Sequence, residues 1–537
     1  MSDNNSFQMV AKTFQGLEDV LRDELISLGA ENVEMGRRMV SFEGDLAMMY
    51  RANLCCRTAL RILKPIEKFT ANDPDELYDI VRDIEWEKYM TPETTFSIDS
   101  TVNSEEFSHS KYVTYRVKDG IVDHFRDKFG VRPSIRVTGA DLMFNVHIFD
   151  DRITISLDSS GEPLSKRGYR VEQTAAPINE VLAAGIIMKT GWKGESNFAD
   201  PMCGSGTFLV EAALIAANIN PGIYRKQFAF EKWPDFDREL FEDIYNDDSQ
   251  EREFDFKIYG GDIDPEAVAI ARKNVREAKV DDMVEITCRP MADWTDNPEP
   301  GIIVMNPPYG ERLKPEDMTA LYKSIGTSLK KNFPGWQAWI LGLNDEDFAN
   351  IGLKPTVKIP ILNGNLECSL REYVLFDGRY SEFRADGGSI GNDEEREERK
   401  APRKMKRISD DEWKKETRKF GHHDDHRSKP KARFSDKGSK FADKGGKFGD
   451  KGSRFSDKSE KFGNKGSKFG DKGGKFADKG SKFGDKDRFH GERKFERKPS
   501  QRPAIETTSR GPRIPQSEAT VFSKYPIRSR RKKNTEE

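Results

Sequence analysis

The residues with the clearest chemical potential stand in the run Ile302-Ile-Val-Met-Asn306-Pro307-Pro308-Tyr309-Gly310. A short apolar stretch of this kind reads as a buried strand. It ends in an amide, two prolines that stiffen the following loop, and an aromatic ring. An exocyclic amine on a planar ring is a poor nucleophile, because its lone pair is delocalised into the ring. Acceptors that hold its hydrogens favour a tetrahedral, reactive nitrogen, and the Asn306 side-chain oxygen and the Pro307 carbonyl are such acceptors. Tyr309 can stack on the ring and aim the amine at an electrophilic methyl, which is orientation rather than acid–base work. Asn306, Pro307, Pro308 and Tyr309 are the candidate catalytic residues; the alternative is a Pro-Pro turn whose Asn caps a loop.

A cofactor reading rests on Asn197-Phe-Ala-Asp200-Pro201-Met-Cys203-Gly204-Ser205-Gly206-Thr207, a short strand that turns through two glycines into a helix. Glycines at such a turn let the backbone approach a ligand closely. A dinucleotide fingerprint would place a third Gly where Leu209 stands, and no G-K-[ST] follows, so pyrophosphate is not the expected ligand. Asp200, Pro201, Cys203, Gly204, Ser205, Gly206 and Thr207 are the candidate cofactor residues of this turn. A second strand, Phe256 to Asp262, also ends in a carboxylate, and Asp262 can accept both ribose hydroxyls, whereas Asp264 before Pro265 reads as a helix N-cap. Asp262 follows Asp200 by 62 residues, against the usual twenty or so, so an insertion of roughly 218–255 is expected. Asp293, before Trp294, is a candidate contact to an adenine amino group.

These motifs need a scaffold, and the hydrophobic pattern supplies one. From about Pro177 to Asp377 apolar strand-like runs alternate with long helical runs, the signature of a parallel α/β sheet. Upstream, Phe7 to about Lys64 reads strand, helix, strand, helix, strand, with Leu17, Val20, Leu21, Leu25 and Leu28 at helical spacing before Gly29. Between Pro65 and Asp158 the pattern predicts helices at 74–84 and 112–129, a strand at 95–102, and a hairpin pairing 135–138 with 141–148 around Gly139. Beyond Asp377 the hydrophobic runs stop.

The chain has 537 residues, 34% charged and 35% hydrophobic, and a net charge of only −3. That balance hides an asymmetry: residues 431–537 carry +16 and residues 1–430 carry −19. The basic tail contains Phe at 434, 441, 448, 455, 462, 469, 476 and 483, each preceded by Lys or Arg. With Gly or Ser at most intervening positions the heptad has no a/d seam, so it is expected to be disordered, and its cations beside aromatics suit contact with nucleic acid. A solubilising role is the alternative. The five cysteines include no C-x-x-C, so neither a disulfide framework nor a zinc site is expected. Vicinal Cys55-Cys56 reads as helix packing, and His422, His423 and His426 beside Asp424 and Asp425 read as solvated rather than metal-binding. No apolar run is long enough to cross a membrane, and the polar start lacks a signal peptide's features, so a soluble, cytoplasmic protein is expected.

Asp200-Pro-Met-Cys-Gly-Ser-Gly-Thr, Gly261-Asp-Ile-Asp-Pro and Asn306-Pro-Pro-Tyr resemble the motifs of class I S-adenosylmethionine-dependent amino-methyltransferases. Gly16-Leu-Glu-x-x-Leu-x-x-Glu-Leu, Leu164-Ser-Lys-Arg-Gly-Tyr-Arg and Lys358-Ile-Pro-Ile-Leu-Asn-Gly-Asn-Leu-Glu-Cys are similar to the THUMP-domain family that methylates guanine N2 in 23S ribosomal RNA. The resemblance covers roughly 5–380 and implies a ferredoxin-like segment at 1–64, a THUMP RNA-binding domain at 65–165 and a Rossmann-like class I methyltransferase domain at 166–380. The tail, 381–537, lies outside it. S-adenosylmethionine is then the implied cofactor, with Gly204, Gly206, Asp262 and Asp293 toward it and Asn306, Pro307 and Tyr309 toward the target base. The implied partner is RNA: large-subunit rRNA, met on a ribosomal assembly intermediate, with tRNA as the alternative. No membrane partner is expected. An acidic body binding RNA needs local basic clusters, for which Lys166, Arg167, Arg170 and Arg116 are candidates. DNA adenine-N6 and protein glutamine methyltransferases share Asn-Pro-Pro-Tyr, and the RNA-type N-terminal region argues against both. A non-catalytic RNA-binding assembly factor is the rival from another class.

Overall fold

A computed structural model describes residues 6–295, 299–308 and 318–376. Tyr309, the repeat tail and His422, His423 and His426 lie outside them. The described elements run β1 (Phe7–Lys12), α1 (Glu18–Ser27), β2 (Glu31–Gly36), β3 (Met39–Gly44), α2 (Leu46–Cys55), β4 (Arg61–Thr70), α3 (Pro74–Asp83), β5 (Phe96–Asn103), α4 (Ser110–Phe129), β6 (Leu142–Phe149) and β7 (Arg152–Asp158). They continue with α5 (Glu180–Thr190), β8 (Asn197–Asp200), α6 (Thr207–Ala216), α7 (Arg238–Asn246), β9 (Ile258–Asp262), α8 (Pro265–Glu277), β10 (Val284–Cys288), β11 (Gly301–Met305), α9 (Met318–Asn332), β12 (Gln337–Gly342), α10 (Asp345–Asn350), β13 (Val357–Asn363) and β14 (Leu366–Val374).

Strands β1 to β7 form one sheet in the order β2-β3-β1-β4-β7-β6-β5. Its pairs are antiparallel except β5 with β6. One face supplies alternate apolar residues to the core, such as Phe144, Val146 and Ile148 of β6, as period-two patterning requires. Strand β4 is ten residues long and pairs with β1 at one end and β7 along its length, so it runs through the boundary expected between residues 64 and 65. The ferredoxin-like and THUMP segments therefore share a continuous sheet. Two local expectations change. A β2–β3 hairpin stands where a single strand was expected, because the edge strand β2 is mostly polar and its alternation is confined to Val33 and Met35, too short a signal to mark a strand. Residues 135–138 form no strand, only an isolated bridge from Ile135 to Phe96; the hairpin partner of β6 is β7, across a turn with Asp150 at φ 54°.

Strands β8 to β14 form the second sheet, in the order β10-β9-β8-β11-β12-β14-β13. The first five are parallel, and β14 joins antiparallel to both β12 and β13. Strand order reverses between β8 and β11, and in an open α/β sheet the crevice beyond the carboxyl ends of such neighbours is where ligands bind. The expected insertion is present as 3₁₀ turns and α7, and it faces away from this crevice. Phe228, Phe230, Trp233, Phe241 and Tyr245 join the core of the first sheet. Tyr50 of α2 packs on Phe230 (4.6 Å) and Phe241 (5.5 Å) and accepts a hydrogen bond from the Asp237 amide. Arg225 fastens the linker between the sheets by donating to the carbonyls of Ser160, Glu162, Pro163 and Lys166.

Candidate functional site

Four strand ends converge on one cavity of about 940 Å³. Strand β8 is buried throughout and ends in Asp200, whose carboxylate accepts from the Met202 amide at 3.1 Å. Burial pushes the Asp200 carboxyl well above the usual carboxylate range, the charge of Asp262 adding to the effect. The next turn is fixed to the neighbouring strand: Cys203 N donates to Gly261 O (2.8 Å) and Gly204 N to Asp262 Oδ2 (2.9 Å). Burial also raises the Cys203 thiol far above its ordinary value, so it stays protonated and is no nucleophile.

The two glycines of the turn have different jobs. Gly204 has φ 51°, and an added Cβ would meet nothing nearer than Thr174 Oγ1 at 3.7 Å. It leaves the cavity wall open to a ligand. Gly206 has φ 78°, and a Cβ there would press on Ala271 at 3.0 Å. It permits the close approach of α6 to α8 and does not line the cavity.

At the end of β9, Asp262 Oδ1 accepts from the Asp264 amide (3.0 Å), and Asp264 caps α8 by accepting from Glu266 N (2.9 Å). Asp262 therefore has both oxygens pinned at the cavity wall, each with a further lone pair to offer. The expected N-cap role of Asp264 is met. After β10, Pro290, Met291 and Ala292 line the cavity, whereas Asp293 points elsewhere, exposed on a 3₁₀ turn. The adenine contact expected of Asp293 is not brought to the cavity, because the turn presents its preceding residues instead.

Strand β11 delivers Asn306, Pro307 and Pro308 to the same cavity. The Asn306 Oδ1 is buried without a hydrogen-bond partner. An orphaned buried acceptor is costly and marks a place where a donor is awaited. Two walls were not read as site residues in the sequence: the strap Thr174–Ile178 and the β13–β14 turn at Asn363–Leu366. The turn lies in a stretch quoted only for its resemblance, and the strap has no composition that distinguishes it from a linker.

Three of the four cations expected to face RNA are engaged within the protein instead. Arg167 is 2% exposed and donates to Arg57 O (2.6 Å), Leu164 O (3.0 Å) and Glu211 Oε1 (3.4 Å), so it ties the linker to α6. Arg170 donates to Glu180, to the Ile178 carbonyl, and to the hydroxyls of Ser205 (3.2 Å) and Thr207 (3.0 Å). It braces the turn from behind. Arg116 joins α4 to the start of α3 through Pro74 O and Asp75, leaving Lys166 as the exposed member, paired only with Glu162.

The cavity thus offers carboxylates where a phosphate would be repelled, an open backbone turn, and an orphaned amide oxygen. Models of three families match the chain: an RlmL ferredoxin-like domain over residues 8–63, a THUMP domain over 71–158, and an RMKL-like methyltransferase domain over 167–372. Over 384 residues it is 35% identical to slr0064 of Synechocystis sp., named as a candidate RNA methyltransferase, matching 70% of this chain and all of that one. The chain belongs to the THUMP-containing, RMKL-like methyltransferases. Identity to the Ribosomal RNA large subunit methyltransferase K/L of Syntrophotalea carbinolica is 39% over 386 residues, 69% of this chain and 54% of the relative; the chain spans about half the length of such K/L relatives. Among solved structures it is similar to SMU.472, named as a candidate methyltransferase and complexed with SAH, at 31% identity and a TM-score of 0.62, over 70% of this chain and all of that one. No helix among the described residues is long and apolar enough to cross a membrane, and no described cluster of His, Cys, Asp or Glu could hold a metal ion.

Proposed function

We propose that the protein transfers a methyl group from S-adenosylmethionine to the N2 amine of a guanine in RNA. The observation that carries this reading is the buried, unpartnered Asn306 Oδ1 in one cavity with Gly204 and Asp262. When bound, S-adenosylmethionine supplies an electrophilic methyl on a sulfonium sulfur. Asp262 accepts from its ribose hydroxyls, Gly204 leaves room for it, and Asp200 in its ionised form offsets its ammonium. Asn306 Oδ1 and the Pro307 carbonyl take the hydrogens of the target amine and hold the nitrogen lone pair toward the methyl, and Tyr309 stacks on the base. As the N–CH3 bond forms, the S–CH3 bond of the sulfonium would break to leave the neutral thioether S-adenosylhomocysteine, and the proton shed by the methylated amine would pass to water. The THUMP segment selects folded RNA by shape and phosphate contacts, and the base reaches the cavity unpaired or flipped.

The substrate we favour is large-subunit rRNA on a cytoplasmic assembly intermediate, the resemblance to K/L relatives supporting it. The experiment supplies the full chain with methyl-labelled S-adenosylmethionine and, separately, unmodified large-subunit rRNA, tRNA and duplex DNA. Label in the rRNA alone is expected; label in tRNA or DNA alone overturns the substrate assignment.

A further inference from the structure

Helix α8 buries one stripe, Ala267, Val268, Ala271, Asn274 and Val275, and Asn274 is the polar residue in it, 1% exposed. A buried amide is tolerated only when its hydrogen bonds are made. All four are. Oδ1 accepts from the amides of Val171 (3.0 Å) and Glu172 (3.3 Å), while Nδ2 donates to the carbonyls of Glu172 (2.9 Å) and Ser205 (2.9 Å). Two amide donors on one side and two carbonyls on the other fix the orientation of the side chain and use its full capacity.

The partners belong to two segments that lead to the cavity. Ser205 stands in the turn between Gly204 and Gly206, and residues 171–172 begin the strap whose continuation, Thr174–Ile178, lines the cavity beside Gly204, with Thr174 Oγ1 3.7 Å from where a Gly204 Cβ would stand. The strap has no helix or strand of its own, and Val171, Glu172 and Gln173 are exposed. Its other side-chain tie at this end, Glu172 to Lys273 (2.6 Å), is solvent-exposed on both sides and is worth little. Arg170 joins the same turn, through the Ser205 and Thr207 hydroxyls, to the far end of the strap at the Ile178 carbonyl, whereas Asn274 joins it to the near end, residues 171–172.

We infer that Asn274 is a positioning residue for the cofactor: one buried amide ties the near end of the strap to the turn, and so tunes the affinity for S-adenosylmethionine, without touching it. This rests on the cofactor reading above. Asn274 has no part in orienting the target amine, which sits at the Asn306 end.

The test compares wild type, Asn274→Ala and Asn274→Asp as full chains, measuring S-adenosylhomocysteine binding by calorimetry and steady-state methylation at saturating RNA. Alanine removes all four hydrogen bonds; aspartate keeps the two acceptor bonds and loses both donors. Both variants are expected to raise the dissociation constant and the KM for S-adenosylmethionine by about tenfold, with kcat within about threefold of wild type. A residue that merely stabilises the fold would lower the melting temperature and the active fraction and leave KM unchanged, and that result overturns the inference. Should both variants fail to fold, hydrogen exchange on wild type decides: S-adenosylhomocysteine is expected to slow exchange in residues 171–178 and 203–207 together, and protection of the turn without the strap overturns it. Failure of wild type to bind S-adenosylhomocysteine overturns the cofactor reading itself, and the inference with it.

Discussion

At the scale of single residues the proposal rests most heavily on Asn306, whose oxygen is buried and unpartnered and so already desolvated for an incoming amine donor. An acceptor matched to the transition state is worth about 3 kcal/mol. Asn306→Ala is therefore expected to lower kcat by at least about a hundredfold while the dissociation constant for S-adenosylhomocysteine stays within about twofold; rapid-quench methylation and calorimetry on the same preparation check both. Asp262→Ala has the opposite profile. It should weaken S-adenosylmethionine and S-adenosylhomocysteine together, by about tenfold or more, since hydrogen bonds to a charged acceptor contribute about 1.5–3 kcal/mol. Unchanged affinity for either ligand would remove Asp262 from the ribose. Asp200 gives a pH signature whose sign follows from its surroundings. Burial raises its carboxyl in the free protein, and a bound ammonium favours the ionised form, so binding releases a proton. Affinity should rise with pH until Asp200 is ionised in the free protein and then level off. Titrations across a pH series check this, and Asp200→Asn should flatten the curve.

Elements explain why the site forms and also why part of it was hidden. A fragment beginning near Gly168 keeps every strand-end motif residue. The insertion nevertheless forbids it to stand alone. Phe230 and Phe241 are buried against Tyr50 of α2, and such a fragment would expose them and strip the buried Arg225 of the linker carbonyls to which it donates. The fragment is expected to aggregate, and Phe241→Ala in the full chain should cost about 3–5 kcal/mol of stability, read as a lowered denaturation midpoint. A soluble fragment that binds S-adenosylhomocysteine with full affinity would contradict this. The strand-end motifs were legible because each combines an apolar run with a polar or glycine turn, a local pattern that fixes both the strand and what it presents. Arg167 and Arg170 were misjudged for the complementary reason: a cation in sequence reads as a surface charge, and only the fold shows Glu211, Glu180 and five backbone or hydroxyl acceptors closing around them. Asn274 and the strap gave no signal at all, because a single amide in an apolar stripe acquires meaning from two segments about 70 and 100 residues away in sequence. The β2 edge was lost because its alternation is too short.

The whole molecule joins a sheet with RNA-binding resemblance to a cofactor-binding sheet through a shared aromatic core, with a basic, Phe-repeating tail beyond. We propose the tail as an electrostatic tether that adds affinity without selecting the nucleotide. If about four of its cations engage phosphates at once, deleting residues 385–537 should lower the log–log salt slope of RNA binding by about 3 and leave the methylated position unchanged. An unchanged slope would leave a solubilising segment; a shifted position would make the tail selective. The central claim concerns the atom that receives the methyl. Large-subunit rRNA treated with the full chain and S-adenosylmethionine, then digested to nucleosides and resolved by mass spectrometry, should contain new N2-methylguanosine, absent when Asn306→Ala replaces the wild type. Appearance of N6-methyladenosine instead, or N2-methylguanosine formed equally well by the variant, would contradict the account.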